Sequence, residues 1–352
     1  MAEQILAEGR ADIIGMTRAL IADPYWPDKA RLGQSADINP CLRWLDCLTV
    51  MHTGQHYQGA VRPWTGREFR MRNYVQPAKE KKNVLIIGGG PGGMKAAITA
   101  ASRGHKVTLA EKTDTLGGLL KFTDYDSLKV DLMRYKNHLI HMTQSMPIEI
   151  EYNTEVTSEY VAKKQPDAII IATGSTPITP RIPGIDLPSV KHATTVYTDL
   201  SIVGDSVVVI GGGAVGLDVV EFFAPRGAEV SIVEMMPAIG NGIDPVSKVG
   251  TFSLMKEHGV KQCTNTALLE VRANSFLVRT PEGKEEEMPF DYGFVCLGMR
   301  ANAPILDAVR EAFEDQNVEI MNIGDSVRAR RIIEGTEEGR NILNVLVKHD
   351  YL

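Results

Sequence analysis

Two short glycine-rich segments have the residue types and spacing of dinucleotide-binding turns. VLIIGGGPGGMKAA begins at Val84 and VVVIGGGAVGLDVV begins at Val207, so each turn follows a β-branched run and opens a small-residue segment. Both read G-x-G-x-x-G, with glycines at Gly88, Gly90 and Gly93 in the first copy and at Gly211, Gly213 and Gly216 in the second. Such glycines let backbone N–H groups approach a pyrophosphate at a helix N-terminus. The pattern therefore predicts two phosphate-binding turns.

An acidic residue follows each turn at the distance expected for a ribose contact, about 20 positions on. Glu111 closes the strand-like segment KVTLAEK, and Glu234 closes EVSIVEM. A carboxylate at this point accepts hydrogen bonds from ribose hydroxyls and repels a 2′-phosphate. The residues after Glu234, MMPAIG, include no arginine that could receive such a phosphate. The second site is therefore predicted to prefer NADH over NADPH.

Each copy also has a simpler interpretation. The first could be an ordinary tight turn of an α/β fold, and the second could be a turn that keeps the fold but no longer binds a nucleotide. Glycine-rich turns are common, so one copy alone is weak evidence. Two copies, each between a strand and a helix and each with its acid, favour two dinucleotide sites.

Composition limits the class of protein and its partners. A length of 352 residues predicts two or three domains with sizeable cores. The net charge of −6 argues against nucleic acid as a partner, because no basic excess is available to neutralise phosphates. No apolar run long enough to cross a bilayer and no export signal are visible, so we expect a cytoplasmic protein without membrane contact. Four cysteines do not form a disulfide framework in so long a chain.

Strands and helices alternate around the two turns, which predicts parallel sheets with crossover helices. Between the turns, DAIIIATGSTP is a buried strand that ends at Ala172, Thr173 and Gly174. Near the end, VEIMNIGDSVRARRIIEG is a strand that runs into Gly324 and Asp325 and then into a helix. Asp325 has two interpretations, as the N-cap of that helix or as a ligand contact.

This order of motifs resembles the flavoproteins that have two dinucleotide-binding domains. The resemblance implies that the first turn, the ATG segment and the GD segment hold FAD, or ADP alone, and that the second turn holds NADH. It places the flavin domain at residues 81–200 and 299–352, with the NAD-binding domain, residues 201–298, inserted. It implies Asp325 on the ribityl chain and further cofactor contacts at Lys112, Gly117, Gly118 and Val156.

The first 80 residues narrow the resemblance. ADIIGMTRALIADPYWPDKA, within residues 1–33, resembles the last βα unit of the FMN barrel of the old yellow enzyme class. In that class a glycine and an arginine, here Gly15 and Arg18, grip the FMN phosphate. INPCLRWLDCL and GAVRPWTGRE, within residues 34–80, resemble the linker that carries a [4Fe–4S] cluster. Enzymes that join the barrel, the linker and the two dinucleotide-binding domains include those similar to 2,4-dienoyl-CoA reductase, trimethylamine dehydrogenase and clostridial enoate reductase. This chain resembles the C-terminal half of such enzymes.

Two departures separate this chain from the intact enzymes. One βα unit of the eight cannot close a barrel, so FMN and a substrate pocket are not expected here. The cysteine pattern is also broken, since Cys41 and Cys47 stand at the first and third cluster positions, Trp44 at the second and Gly59 near the fourth. We therefore expect vestigial thiols rather than an intact cluster. A zinc site formed by Cys41, Cys47, His52 and His56 is a weaker alternative, because its spacing is unusual.

The sequence thus predicts an α/β protein with two Rossmann-like domains, one inserted in the other, after a remnant of a TIM barrel. Its expected role is an FAD-dependent NADH oxidoreductase module that passes electrons to a small molecule or to an acceptor or barrel-containing protein. The alternative is a non-catalytic subunit that binds ADP or FAD and docks such a partner. Cys263 and Cys296 form no C-x-x-C pair, so a disulfide reductase is not supported.

Overall fold

A computed structural model describes residues 1–52, 54, 58–71, 76–126, 129–192, 206–243, 245–314, 316–342 and 346. The fold is the predicted α/β class, and these residues form two five-stranded parallel sheets, a three-stranded antiparallel sheet and a two-stranded antiparallel ribbon. The helices are α1 (Ala2–Ala7), α2 (Arg18–Ala22), α3 (Trp26–Arg31), α4 (Asp46–His52), α5 (Glu68–Met71), α6 (Pro91–Ser102), α7 (Val130–Gln144), α8 (Ser158–Lys164), α9 (Ala214–Phe223), α10 (Pro245–Glu257), α11 (Pro304–Ala312) and α12 (Ile332–Asn341).

The strands follow the two repeated units and the segment that closes the first of them. They are β1 (Asn83–Ile87), β2 (Lys106–Ala110), β3 (Ile148–Glu151), β4 (Ala168–Ile171), β5 (Ser175–Pro177), β6 (Val190–His192), β7 (Ser206–Ile210), β8 (Glu229–Val233), β9 (Lys261–Cys263), β10 (Ala267–Arg272), β11 (Ser275–Arg279), β12 (Glu285–Pro289), β13 (Tyr292–Val295), β14 (Met299–Ala301) and β15 (Glu319–Asn322).

The first sheet has the order β15-β4-β1-β2-β3, and all its neighbours are parallel. Strand β4 has the sequence AIII and is buried along its whole length, as expected for a strand covered on both faces. Helices α6 and α12 pack against each other over this sheet. Strand β15 lies near the C-terminal end of the sequence and pairs with β4. The last strand of the first unit therefore follows the whole second unit in the sequence. The predicted insertion of one unit in the other is confirmed.

The second sheet has the order β6-β13-β7-β8-β9, again with parallel neighbours. Strands β10 to β12 form an antiparallel meander against it, and the acidic run Glu285–Glu287 is exposed there. Strand β6 lies in this sheet although it precedes position 201, where we expected the second domain to begin. The domain limits themselves remain a prediction.

The N-terminal segment, residues 1–33, is helical where it is regular. The resemblance to a βα unit predicts a strand within residues 1–33, and that prediction is wrong, because the structure has helices α1, α2 and α3 and no strand there. A barrel strand needs hydrogen-bonding neighbours on both sides, and this segment has no adjacent strand. Ile13, in the expected strand, is 86% exposed. The segment instead leads into a linker whose Trp44 and Ala60 pack against the core of the first unit.

Candidate functional site

The first glycine turn joins β1 to α6 in a form that only glycine permits at two positions. Gly88 has φ +106°, and a Cβ there would collide with the carbonyl oxygen of Ala172. A Cβ at Gly93 would collide with the carbonyl oxygen of Gly88. Gly90 is different, since the nearest atom to a Cβ there would be the Cα of Gly118 at 3.9 Å. The first and third glycines thus form the turn, and the second leaves open space at the N-terminus of α6.

The second turn, between β7 and α9, repeats this geometry. Gly211 also has φ +106°, and its Cβ would collide with the carbonyl oxygen of Cys296. Gly216 packs in the same way on the carbonyl oxygen of Gly211, whereas a Cβ at Gly213 would meet no atom within 4 Å. Both helix N-termini therefore present backbone N–H groups toward open space, the arrangement that binds a pyrophosphate.

Each predicted acid accepts a hydrogen bond from the residue between the first two glycines of its G-x-G-x-x-G motif. The Gly89 N–H donates to Oε2 of Glu111 at 2.7 Å, and the Gly212 N–H donates to Oε2 of Glu234 at the same distance. The other oxygen of Glu234 accepts from the Met236 N–H at 2.7 Å. A carboxylate offers about four acceptor positions, so each can still accept from a ribose hydroxyl while it is held in place.

Further backbone hydrogen bonds recur in both units and were not predicted from the sequence. The Gly117 N–H donates to the Gly89 carbonyl at 2.9 Å, and the Gly240 N–H donates to the Gly212 carbonyl at 2.7 Å. Farther on, an Asn-Thr pair follows the third strand of each unit, at Asn153–Thr154 and Asn265–Thr266, and its threonine N–H donates to the carbonyl of Glu111 or Glu234. The repeated Asn-Thr pair is the feature of the sequence from which these hydrogen bonds could have been predicted.

The predicted flavin-site residues converge on one cavity of about 490 Å³ at the carboxyl edge of the first sheet. That volume lies within the usual range for ligand pockets, roughly 300–1,000 Å³. The predicted residues that line it are Gly88, Gly90, Glu111, Lys112, Gly118, Val156, Ala172, Thr173, Gly174, Gly324 and Asp325. Gly93 and Gly117 do not line the cavity. They contact the glycine turn from behind, Gly93 by packing on the Gly88 carbonyl and Gly117 by its hydrogen bond to the Gly89 carbonyl. The cavity also includes residues that were not predicted, namely Thr113, Lys121, Thr154, Asn302, Arg330 and Arg331.

Asp325 lies in a short turn, Gly324–Ser326, that follows β15, and it lines this cavity. It accepts a hydrogen bond from the Arg330 N–H at 3.0 Å and another from the Ser175 hydroxyl at 3.2 Å. Burial raises the pKa of Asp325, and these two hydrogen bonds oppose that rise only in part. Its interpretation as a helix N-cap is wrong, because α12 begins at Ile332 and its N-cap is Arg331. The basic residues Arg328, Arg330 and Arg331 also precede α12.

The linker surrounds a much smaller cavity of about 30 Å³. Cys41, Trp44, Cys47 and Gly59 all line it, together with Arg18. Among the described residues no three histidine, cysteine or carboxylate side chains are arranged as metal ligands. The side chain of His52 and all of His56 lie outside that description, so the zinc alternative remains untested. All four cysteines are free thiols.

Known proteins match this chain over most of its length. The model of the pyridine nucleotide-disulphide oxidoreductase family matches residues 82–325. The chain belongs to this family. An NADH oxidase of Thermoanaerobacter brockii is 32% identical over 96% of this chain and 52% of its own length. A bilirubin reductase of Mediterraneibacter gnavus is also 32% identical, over 98% of this chain and 53% of its own length.

Solved structures agree with the family assignment. A 2-naphthoyl-CoA reductase bound to 2-naphthoyl-CoA matches with a TM-score of 0.88 and 32% identity, over 96% of this chain and 51% of the reductase. The chain therefore spans about half the length of these relatives. The matches confirm the predicted resemblance to the C-terminal half of old yellow enzyme-class oxidoreductases, and they support FAD and NAD(P)H as cofactors. In the described part of the chain no helix has the length and apolarity needed to span a membrane, and the cytoplasmic location stays a prediction.

Proposed function

We propose that this chain is an NADH:FAD oxidoreductase module, with FAD in the 490 Å³ cavity and NADH at the second glycine turn. The observation that carries this proposal is that the same site occurs twice. In each G-x-G-x-x-G turn, packing requires the first and third glycines, and the second faces open space. In each turn, the acid also accepts a hydrogen bond from the residue between the first and second of these glycines. A turn retained only to preserve the fold would not need an open second glycine.

The residues of the first site have separate roles in this proposal. The N–H groups after Gly90 bind the pyrophosphate, and Glu111 accepts from the adenosine ribose. Asp325 accepts a hydrogen bond from a ribityl hydroxyl at the far end of the cavity. Its carboxylate already accepts from the Arg330 N–H and the Ser175 hydroxyl, and its remaining acceptor positions serve this contact. Arg330 and Arg331 border the same cavity and add positive charge near the phosphates.

The second site selects the nicotinamide cofactor. Glu234 is held by two backbone N–H groups, so its carboxylate has a fixed position opposite the ribose 2′-hydroxyl. A 2′-phosphate would meet that negative charge, and Met235 and Met236 beside it provide no cation. NADH is therefore the proposed donor. When both cofactors are bound they supply hydride-transfer chemistry, and this chain provides binding and orientation.

A second candidate function rests on the surface of the N-terminal segment and the linker. Large apolar side chains are exposed there, with Ile13 at 86%, Phe69 at 76%, Tyr25 at 66% and Leu32 at 59%. Exposed apolar groups of this size favour contact with further polypeptide. We propose that a barrel-containing polypeptide covers this surface, and that in its absence the flavin reduces a soluble acceptor. If no hydride transfer occurs, the chain would instead be a nucleotide-binding subunit for that partner.

Anaerobic titration of the purified protein with NADH tests the module. We expect flavin absorption in the visible range that is bleached by about one NADH per flavin. The matched variant Gly213→Ala should keep its flavin and its fold but lose most of this bleaching at low NADH. A colourless protein that carries ADP alone would overturn the proposal and favour the non-catalytic subunit.

A further inference from the structure

Helix α12 and its N-cap residue Arg331 lie between the linker and the cavity of about 490 Å³, which we call the flavin cavity. Arg331 and the first turn of the helix line this cavity. The rest of the helix contacts the linker, where the Thr336 hydroxyl donates to the Ala60 carbonyl at 3.1 Å. Glu337 also forms an ion pair with Arg67 of the linker. One element therefore contacts both the proposed cofactor site and the linker.

Two tryptophans of the linker lie against arginines of this element. The guanidinium carbon of Arg340 is 3.9 Å from the centroid of the Trp64 ring, and that of Arg331 is 5.7 Å from the centroid of the Trp44 ring. Both distances are within the range, about 6 Å, over which an aromatic face attracts a cation. Both arginines belong to the described part of the chain, and of the two only Arg331 lines the flavin cavity. The structure thus contains one such contact that reaches the cavity and a matched one that does not.

The backbone around Trp44 is held in an unusual conformation. Arg43 and Leu45, on either side of Trp44, have φ of 54° and 64°, in the left-handed region that non-glycine residues seldom adopt. The Arg43 side chain is anchored on α7, where its Nε donates to Oδ2 of Asp131 at 2.5 Å. The Trp44 side chain itself packs against the core of the first unit. Strained backbone of this kind persists only where surrounding contacts fix it, so the indole has a defined position.

The Arg331 side chain is held by contacts from two segments. Within α12, Oε1 of Glu334 accepts from Nε of Arg331 at 3.1 Å and from Nη2 at 2.8 Å. From the linker, the Trp44 ring attracts the same guanidinium. A side chain that is immobilised in advance loses less conformational entropy when a ligand binds to it. A guanidinium held in this way at the edge of the cavity is suited to a phosphate group, which it can bind through parallel N–H groups.

We propose that Trp44 is a positioning residue of the flavin site, and that it holds the guanidinium of Arg331 where this cation binds the pyrophosphate of FAD or ADP. The inference rests on the proposed function for the class of ligand. It makes the affinity for the dinucleotide dependent on the docking of the linker on α12. Because such coupling is reciprocal, bound dinucleotide strengthens that docking by the same factor.

The test is a double-mutant cycle, in which equilibrium binding of ADP and of FAD to the apoprotein is measured for W44L, R331Q and W44L/R331Q. We expect the Kd to rise about 2- to 5-fold in W44L, the size of a cation–π contribution, and at least ~10-fold in R331Q. The double variant should bind like R331Q alone, because Trp44 acts through Arg331. W44F keeps an aromatic face and should bind like the wild type. W64L is the matched control, because it removes the contact with Arg340, and it should also keep wild-type affinity.

Wild-type affinity in W44L, additive losses in the double variant, or an equal loss in W64L would each overturn the proposal. If W44L does not fold, amide hydrogen exchange of the wild type gives a second test. Saturating ADP should slow exchange in residues 41–50, and this effect should be smaller in R331Q. Unchanged exchange in the wild type with ADP bound would contradict the coupling. None of these measurements uses NADH, so a protein that carries ADP alone would refute the proposed function and leave this inference open to the same test.

Discussion

Lys129 in the first unit forms an ion pair with Asp218 on α9 of the second, with 2.5 Å between Nζ and Oδ1. The same ammonium also donates to Glu221 Oε2 at 3.2 Å. Glu221 in turn accepts from the Thr251 hydroxyl at 2.6 Å, so the network extends to α10. Phe122 of the first unit packs against the core of the second nearby. Because α9 begins at the second glycine turn, this contact sets the position of the proposed NADH site relative to the flavin cavity.

Lys129→Met should weaken this contact. Burial would lower the pKa of Lys129, but the carboxylates of Asp218 and Glu221 outweigh it and raise that pKa, so the side chain is cationic at neutral pH. Its removal leaves two carboxylates facing each other without a counter-charge. We expect a loss of about 1–2 kcal/mol in the free energy of unfolding, between the values for surface and buried pairs. Flavin reduction by NADH should also slow.

Chemical denaturation and stopped-flow flavin reduction measure these two effects. Lys106→Met is the matched control, because Lys106 is exposed on β2 of the first unit. Equal stability and equal reduction rates in Lys129→Met and Lys106→Met would show that the ion pair does not position the second unit.

Gly90→Ala and Gly93→Ala should have opposite effects on fold and binding. At Gly93 a methyl group would collide with backbone, so the turn cannot form as it stands and we expect a strongly destabilised protein. At Gly90 the methyl group meets only Gly118 at 3.9 Å, so stability should stay within about 0.5 kcal/mol of the wild type. FAD affinity should nevertheless fall at least ~10-fold, because the methyl group occupies the space for the pyrophosphate. Thermal unfolding of the apoprotein and FAD titration distinguish the two, and a Gly90→Ala variant with normal FAD affinity would place the phosphate elsewhere.

Glu234→Gln should reduce the preference for NADH. The amide keeps the size of the side chain but loses the negative charge that binds a ribose hydroxyl and repels a 2′-phosphate. Hydrogen bonds to charged groups contribute about 1.5–3 kcal/mol, so the ratio of kcat/KM for NADH over NADPH should fall roughly 10- to 100-fold. Steady-state diaphorase assays with both cofactors give this ratio. Glu111→Gln should lower FAD retention and leave the ratio unchanged, and a change in the ratio there would contradict the assignment of the two sites.

Docking of the linker on α7 should depend on pH through His138. Its Nδ1 lies 3.2 Å from the carbonyl oxygen of Ala36. Burial, together with the nearby charges of Lys95 and Lys29, lowers the pKa of His138 to about 4, against the hydrogen bond to Ala36 and the charge of Asp23. The folded protein therefore holds the neutral imidazole, whereas the unfolded chain binds a proton near pH 6.5. Stability should thus decrease as pH falls from about 6.5 to about 4.

His138→Gln should remove this part of the pH dependence, since glutamine does not titrate. Thermal unfolding from pH 7 to pH 4 should show a smaller loss of stability in the variant than in the wild type. His258→Gln is the control, because His258 is exposed on the second unit. Parallel pH profiles for the wild type and His138→Gln would exclude His138 as the source of the acid sensitivity.

The sequence was most informative where local geometry determines the residue type. Gly88, Gly93, Gly211 and Gly216 could be recognised because no side chain fits at those positions, and the inserted order of the units followed from the segment at Gly324. The strand expected in residues 1–33 could not be judged from its own sequence, because a strand forms only when a neighbour accepts its hydrogen bonds.

Contacts between distant segments were also beyond the sequence. Arg331 lies in a segment that looked like the start of a helix, and nothing local shows that it borders the flavin cavity while facing Trp44. The ion pair of Lys129 with Asp218 joins residues of different units, so no periodicity reports it. Such contacts depend on how the units pack, and packing is a property of the whole chain.

The two-stranded ribbon of β5 and β14 determines how separable the two halves of this chain are. Ser175 lies opposite Ala301, so the chain leaves the first unit and returns to it only about 4.8 Å apart, one strand spacing. A segment whose ends are neighbours can be exchanged or removed with little change in loop-closure entropy. We therefore expect that the second unit, which contains the proposed NADH site, can be replaced by a short turn from β5 to β14, and that the shortened protein still binds flavin.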